Sequence, residues 1–168
     1  TVVRVQFNPA RIVSSGAKVD AETIKKRKCF LCAENRPAEQ RELPWGENYL
    51  ILVNPFPIFP RHLTIPDRRH TDQKIEGRIA DMVSLAADLK GYTVFYNGPK
   101  CGASAPDHMH FQAGNSDFLP LSDMLETADL QPLIVEPDGE AVLSVALNLP
   151  MNMFVIDATD ADAAQRLF

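Results

Sequence analysis

Two of the four histidines in this chain lie one residue apart, in the segment 107–112, which reads Asp-His-Met-His-Phe-Gln. Because side chains two positions apart share one face of a β-strand, a strand here would direct His108, His110 and Gln112 to the same side. The residues between them would point into a core. The preceding segment 97–106 is rich in small residues and offers free backbone N–H groups. This combination predicts a site for a phosphate group.

Such a pair of imidazoles allows three kinds of chemistry. The rings could bind a metal ion, act as general acid and base, or attack phosphorus and carry a nucleotidyl group as a phosphoramidate. The last reaction needs a fixed imidazole tautomer, donors for the charge on the phosphoryl oxygens, and protection from water. Candidate donors are the Ser104 hydroxyl, the backbone N–H groups of residues 98–104 and the amide of Gln112. Because a glutamine cannot shuttle protons as a third histidine could, Gln112 favours transfer to a phosphate or sugar phosphate over hydrolysis.

A second group of reactive side chains lies near the start of the chain. Cys29 and Cys32 are separated by two residues, a spacing that can bind one tetrahedral zinc on a tight turn. This pair supplies only half of the ligands, and the remaining two must come from the four histidines or Cys101. The alternative is a turn with two cysteines and no metal. Three cysteines do not form a disulfide framework.

Length and charge narrow the class of protein. A chain of 168 residues predicts one domain. Its net charge of −5 argues against broad binding to nucleic acid or to membrane surfaces. No apolar run is long enough to cross a bilayer, and the first residues lack the pattern of a signal peptide, so we expect a cytoplasmic protein. The chain starts at Thr1 rather than Met and stops within the helix-like segment 160–168, so we expect a fragment of a longer protein.

The apolar pattern of the chain predicts more strands than helices. Besides the segment 107–112, strands are predicted at residues 49–53, 61–66, 92–96, 133–135, 141–147 and 153–156. Residues 34–47 are polar and proline-rich, and we interpret them as a loop. These elements predict an α+β fold in which a mostly antiparallel sheet packs against one long amphipathic helix.

The predicted helix lies between two of these strands. Thr71 or Asp72 would cap its start, and Gly91 would end it. Its apolar stripe, at steps of three and four residues, consists of Ile75, Ile79, Met82, Val83, Ala86 and Leu89. We interpret the stripe as a packing surface with no direct part in function.

The order of these motifs resembles the histidine triad superfamily. The resembling segments are Asn54-Pro55-Phe56-Pro57, Arg61-His62-Leu63-Thr64-Ile65-Pro66, Arg69-His70, Asn97-Gly98, Gly102-Ala103-Ser104 and His108-Met109-His110-Phe111-Gln112. The ending His-x-His-x-Gln is that of its nucleotidyltransferase branch, which includes galactose-1-phosphate uridylyltransferase, diadenosine tetraphosphate phosphorylase (ATP adenylyltransferase) and GDP-L-galactose phosphorylase. The resemblance implies a single HIT-like domain over residues 1–168, with its motifs at 29–115. Residues 116–168 add strands and the start of a helix that match nothing in the family.

The resemblance also implies roles for individual residues. His110 would be the nucleophile that becomes a nucleotidyl-histidine, while Gln112 and Ser104 contact the transferred phosphoryl group. The implied nucleotide-binding residues are Asn54, Phe56, Asn97 and Gly102. A structural zinc would be bound by Cys29, Cys32, His70 and His108. His62 competes with His70 as a zinc ligand, but we expect His62 to be a strand residue with a satisfied ring.

The implied activity is transfer of a nucleoside monophosphate from a nucleotide donor to phosphate or a sugar phosphate. Family members often form homodimers, and neither nucleic acid nor membrane is an expected partner. Three alternatives stay open. The protein could be a HIT-type nucleotide hydrolase, a zinc-stapled nucleotide-binding module without catalysis, or a hydrolase in which His108 and His110 both hold a catalytic metal.

Overall fold

The computed structural model describes Val5, Pro9 and residues 18–168, and the chain divides into two compact units. The first unit comprises Thr1–Lys74 and Phe95–Gly114, and the second comprises Ile75–Val94 and Asn115–Phe168. The described part is mixed α+β, with mostly antiparallel sheets and a few helices, which confirms the predicted class. The longest described helix has 10 residues, and none of the described helices combines the length and apolarity needed to span a bilayer.

The larger sheet carries the candidate site. Its elements, with the helix that precedes them, are α1 (Ala21–Lys26), β1 (Glu42–Trp45), β2 (Tyr49–Val53), β3 (His62–Pro66), β4 (Tyr92–Phe95) and β5 (His110–Asn115). The strand order is β1-β2-β3-β5-β4. The predicted strands at 49–53, 61–66 and 92–96 are therefore confirmed, each to within one residue. In the antiparallel pair β3–β5, Thr64 lies opposite Gln112, and Pro66 lies opposite His110.

The two faces of the β3–β5 pair differ in polarity. Ile65 and Phe111 lie opposite each other and are fully buried, and the ring of Tyr49 on β2 lies 5.5 Å from that of Phe111. Met109 is also fully buried, so the prediction that both residues between the motif's polar positions enter the core is confirmed. Each buried side chain of this size contributes about 1.5–3 kcal/mol of hydrophobic stabilisation. The opposite face therefore carries the polar residues of both strands.

Strand β1 corrects the interpretation of residues 34–47 as a loop. Glu42–Trp45 forms an edge strand that pairs only with β2, and three of its four residues are exposed. An edge strand tolerates Pro44 because one side of its backbone needs no partner. Because most of this strand is exposed and contains a proline, its composition resembles that of a loop.

The second unit contains the remaining elements. They are α2 (Ile79–Asp88), α3 (Leu121–Glu126), β6 (Leu130–Val135), β7 (Ala141–Ala146), β8 (Met153–Ala158) and α4 (Ala161–Leu167). Strands β6, β7 and β8 form an antiparallel meander, which confirms the strands predicted in this part of the chain. Gly139, with φ of 74°, forms the turn between β6 and β7.

Helix α2 is shorter than predicted. The expected start at Thr71 or Asp72 is wrong, because Gly77 takes a left-handed conformation (φ 70°) and interrupts any helix from there. The helix begins instead at Ile79, where the side-chain oxygen of Gln165 accepts hydrogen bonds from the first two backbone N–H groups, at 2.8 and 3.3 Å.

The packing face of α2 also differs from the predicted stripe. Leu85, which the stripe omitted, is the helix residue that is fully buried, whereas Val83 and Ala86 are exposed. The contacts of α2 with α4 lie within the second unit. Gly91, with φ of 78°, turns the chain after the helix, as the sequence indicated.

Candidate functional site

A tight turn after α1 places both thiols of the Cys-x-x-Cys pair together. The backbone N–H of Cys32 donates to the carbonyl of Cys29 at 3.3 Å, and the side-chain amide of Asn35 donates to the same carbonyl at 2.9 Å. Cys29 is buried with Leu31 and Ala105, and Cys32 packs against this group. The turn itself therefore places the two sulfur atoms close together, independently of the histidines.

Two histidines complete a cluster around these thiols. The Sγ atom of Cys29 lies 3.3 Å from Nδ1 of His108, and Sγ of Cys32 lies 3.2 Å from Nδ1 of His70 and 3.7 Å from Nδ1 of His108. All four ligand atoms lie within 4.8 Å of one another. Tetrahedral bonds of zinc-type length would separate a sulfur and a nitrogen ligand by about 3.5 Å. These four residues, which the family resemblance implied as one ligand set, could thus hold a metal ion.

The second nitrogen of each ring lies near an oxygen. Nε2 of His108 lies 2.8 Å from the carbonyl of Asp67, which can only accept, so Nε2 carries the proton and Nδ1 presents its lone pair. Nε2 of His70 lies 3.6 Å from a carboxylate oxygen of Asp107, whose other oxygen accepts from Arg27 at 2.6 Å. Oxygen partners of this kind orient histidine ligands in metal sites. Sequence patterns gave no indication of Asp67, Asp107 or Arg27.

The two thiols differ in acidity. Burial acts to raise the pKa of Cys29, but hydrogen bonds from the His108 ring and from two backbone N–H groups outweigh it, so this pKa lies below its usual value. Burial and the neighbouring Cys29 charge raise the pKa of Cys32 to about 11. Burial alone would lower the pKa of His108, but hydrogen bonds to the Cys29 sulfur and to the Asp67 carbonyl raise it. The contact between Cys29 and His108 thus shifts the pKa of each group in the direction that favours its charged form.

His110 faces a different environment. It begins β5, is 4% exposed, and places Nδ1 2.8 Å from the carbonyl oxygen of His108. Because that carbonyl accepts, Nδ1 carries the proton and Nε2 has the free lone pair. Burial lowers the pKa of His110, and the bond to the His108 carbonyl opposes this only in part, so the ring favours its neutral form.

The prediction that three polar residues share one strand face is wrong for His108. Strand β5 begins at His110, and His108 lies before it in a turn, with its N–H donating to the carbonyl of Ala105 at 3.3 Å. Only His110 and Gln112 share a strand face, opposite Pro66 and Thr64. The two histidines therefore point to different surroundings.

The side-chain amide of Gln112 has a defined orientation. Its Oε1 lies 3.0 Å from Nε2 of His62, and Nδ1 of His62 accepts from the backbone N–H of Ile58 at 3.0 Å. Since Nδ1 of His62 is an acceptor, Nε2 carries the proton and donates to Gln112. The expectation that His62 has a satisfied ring is confirmed, and the NH₂ group of Gln112 points away from that ring.

The implied nucleotide-binding corner is built around Asn54. Its Nδ2 donates to the hydroxyl of Thr64 at 2.9 Å, and its Oδ1 accepts from the backbone N–H of Phe56 at 2.8 Å. Because Thr64 lies opposite Gln112, Asn54 is connected to the polar face of β3 and β5. The ring of Phe56 is 41% exposed, so a flat ligand could pack against it.

The loop before β5 holds the remaining predicted residues. Asn97 accepts a hydrogen bond through its carbonyl from the side chain of Gln73 at 2.9 Å. Gly102 is exposed and has φ of 87°, a conformation that favours glycine. Ser104 is half-buried between two buried alanines. Sequence reasoning missed Gln73, which lies in a polar stretch with no pattern to distinguish it.

Comparison with known proteins identifies the family of this chain. Residues 1–115 match the family described as Domain of unknown function (DUF4922), and the chain belongs to that family. The matched range contains every candidate site residue described above. No curated protein and no solved structure matches the chain.

Proposed function

We propose that the protein transfers a nucleoside monophosphate through a covalent intermediate on His110. The observation that carries this proposal is the 2.8 Å contact between Nδ1 of His110 and the carbonyl of His108, in a ring that is almost fully buried. The contact holds the tautomer whose Nε2 lone pair can attack phosphorus. Burial keeps this ring neutral, and only a neutral imidazole is a nucleophile.

In the first half-reaction, Nε2 of His110 attacks the α-phosphorus of a nucleotide donor. A P–N bond forms, and the P–O bond to the leaving phosphate or sugar phosphate breaks. In the second half-reaction, an oxygen of the acceptor phosphate or sugar phosphate attacks phosphorus and breaks the P–N bond. The Nδ1–H of His110 keeps donating its hydrogen bond to the His108 carbonyl throughout. This hydrogen bond stabilises the positive charge that develops on the ring. The amide NH₂ of Gln112, the Ser104 hydroxyl and the loop N–H groups would bind the phosphoryl oxygens.

The proposal includes a structural zinc and a HIT-like fold. The four ligands would be Cys29, Cys32, His70 and His108, a thiolate and imidazole set that zinc prefers. When bound, the metal supplies a rigid crosslink and no part of the reaction. Holding His108 also holds the carbonyl that orients His110. The order of motifs, from the Asn54 corner to Gln112, supports the histidine triad-like description of the fold.

The direct test is a search for the covalent intermediate by intact-protein mass spectrometry. Nucleoside diphosphate sugars and dinucleoside polyphosphates are supplied as donors, and the wild type should gain the mass of one nucleoside monophosphate. The adduct should be labile to acid and should map to the peptide that contains His110. His110→Ala should form no adduct with any donor. Failure of the wild type to form an adduct with every common nucleotide would overturn the proposal.

The same samples separate the alternatives. A HIT-type hydrolase would release nucleoside monophosphate equally with and without added phosphate, whereas a transferase would give new products only with an acceptor. A zinc-stapled binding module would bind nucleotide tightly without an adduct. A hydrolase with a catalytic metal on both histidines would lose its metal in His110→Ala. The cluster of potential ligands among the described residues contains His108 and not His110, which argues against that last alternative.

A further inference from the structure

The side chain of Gln73 takes the place of a neighbouring strand beside His110. Its Oε1 accepts from the backbone N–H of His110 at 2.7 Å, and its Nε2 donates to the carbonyl of His110 at 3.1 Å. This is the pair of hydrogen bonds that a residue of an adjacent strand would make. Gln73 is 1% exposed, so its amide has no competing solvent.

The register of β3 and β5 explains why His110 needs such a partner. The N–H of Asp67, the residue after β3, donates to the carbonyl of Met109 at 2.9 Å. The carbonyl of Met109 therefore faces the β3 side. Because adjacent residues of a strand direct their backbone groups to opposite sides, those of His110 face away from β3. The residue opposite His110 is Pro66, which has no N–H to donate. Without Gln73, a buried N–H and a buried C=O at the proposed nucleophile would lose their partners.

The same amide also reaches the loop before β5. Its Nε2 donates to the carbonyl of Asn97 at 2.9 Å, and the hydroxyl of Tyr96 donates to the backbone carbonyl of Gln73 at 2.8 Å. Gln73 is thus held by the residue that precedes the loop and is bonded to the first residue of the loop. One side chain connects the backbone of His110 to the segment that would bind the phosphoryl oxygens.

We infer that Gln73 is a positioning residue, which sets the place of His110 relative to the phosphoryl-binding loop that begins at Asn97. This inference rests on the proposed function for its catalytic consequence. The structural consequence stands without it: Gln73 fixes the backbone of His110, and hence the approach of Nδ1 to the His108 carbonyl that selects the tautomer.

Gln73→Glu tests this inference with almost no change of shape. A carboxylate can still accept from the N–H of His110, but it cannot donate to the carbonyls of His110 and Asn97. Gln131→Glu, the same change at an exposed position on β6, is the matched control. If Gln73→Glu does not fold, Tyr96→Phe is the second variant, because it removes only the hydroxyl that holds the backbone of Gln73.

Two measurements separate positioning from the chemistry. The first is the tautomer of His110, read from the ¹⁵N shifts of its imidazole. The wild type and Gln131→Glu should show one tautomer, protonated at Nδ1, whereas Gln73→Glu should show a mixture. The second is the rate of adduct formation, which should fall about 100-fold in Gln73→Glu with nucleotide affinity nearly unchanged, because small displacements of a nucleophile have effects of this size. In Tyr96→Phe both changes should be smaller and in the same direction.

A single unchanged tautomer in Gln73→Glu, or in Tyr96→Phe where the first variant does not fold, would overturn the inference. So would a wild-type rate of adduct formation in the same variant. If the wild type forms no adduct at all, the proposed function fails, but the tautomer measurement still decides whether Gln73 positions His110.

Discussion

His108 and His110 are one residue apart and are both buried, yet their hydrogen-bond partners differ. In each ring, one nitrogen donates a hydrogen bond to a backbone carbonyl. Nε2 of His108 donates to the carbonyl of Asp67, and Nδ1 of His110 donates to the carbonyl of His108. The lone pair is therefore left on Nδ1 in His108, facing sulfur, and on Nε2 in His110. The comparison teaches that the backbone partner of an imidazole selects which nitrogen is available for chemistry.

The acidities of the two rings diverge for one identifiable reason. Burial acts to lower the pKa of both histidines. At His108 the Cys29 sulfur and the Asp67 carbonyl outweigh burial, and the pKa rises. His110 has no thiol partner that opposes burial, and its pKa falls. The nearby thiol thus separates the pKa of a potential metal ligand from that of a ring that favours its neutral form.

The strongest way to break this comparison is to replace each histidine by alanine. His108→Ala removes a ligand and a fully buried ring, so we expect loss of the bound metal and a decrease of more than about 3 kcal/mol in the free energy of unfolding. His110→Ala should keep its metal and lose less stability. Metal content by elemental mass spectrometry and urea denaturation of both variants provide the check.

The control for this pair is the wild type treated with a chelator. If the metal stabilises the fold through His108, chelation should lower the free energy of unfolding of the wild type and of His110→Ala by similar amounts. It should leave the free energy of unfolding of His108→Ala unchanged. Equal metal loss in the two alanine variants would show that the histidines do not have separate roles.

Acid should release the metal without removing any residue. Thiolates and neutral imidazoles are the binding forms, so protons compete with the metal, and the raised pKa of the Cys32 thiol makes this competition stronger as pH falls. Each displaced proton weakens apparent affinity by about tenfold per pH unit. We expect at least that slope in chelator competition between about pH 8 and about pH 5.

In the protein without metal, the pKa shifts of the two histidines change the dependence of stability on pH in opposite directions. The raised pKa of His108 means that its contribution to stability is present below the unfolded pKa and is lost as pH rises through the folded value. The lowered pKa of His110 works in the opposite direction, because protonation favours the unfolded chain as pH falls.

The acid release of metal has its own control. His110→Ala should release the metal over the same pH range as the wild type. Retention of the metal at strongly acid pH would contradict a site formed by the two thiols.

Local patterns predicted the strands well and the helix boundaries poorly. Continuous apolar runs marked 49–53 and 141–147 because a buried strand must be apolar over most of its length. The start of α2 depended on Gly77 and on Gln165, which is 86 residues away in sequence from Ile79. A cap supplied from so far along the chain leaves no trace in the local pattern.

The candidate site shows the same division. The spacing of Cys29 and Cys32 indicated half of a ligand set, the family resemblance implied His70 and His108 as the other half, and the structure places the four residues together. The role of Gln73 could not be predicted, because its partners His110 and Asn97 are 37 and 24 residues away. A glutamine that satisfies distant backbone groups has no neighbour in sequence that reveals it.

The smallest expected effect concerns the oxygen partners of the metal ligands. Asp107→Asn keeps the shape of the side chain but removes the charge beside Nε2 of His70 and weakens the contact with Arg27. Because the contact with His70 is long, at 3.6 Å, we expect a loss of about tenfold in metal affinity, at the low end for such partners. Asp72→Asn is the matched control, since Asp72 is exposed and bonds to Lys74 instead. Chelator competition measures both variants. If Asp72→Asn weakens binding as much as Asp107→Asn, net charge near His70 controls affinity, and Asp107 has no orienting role.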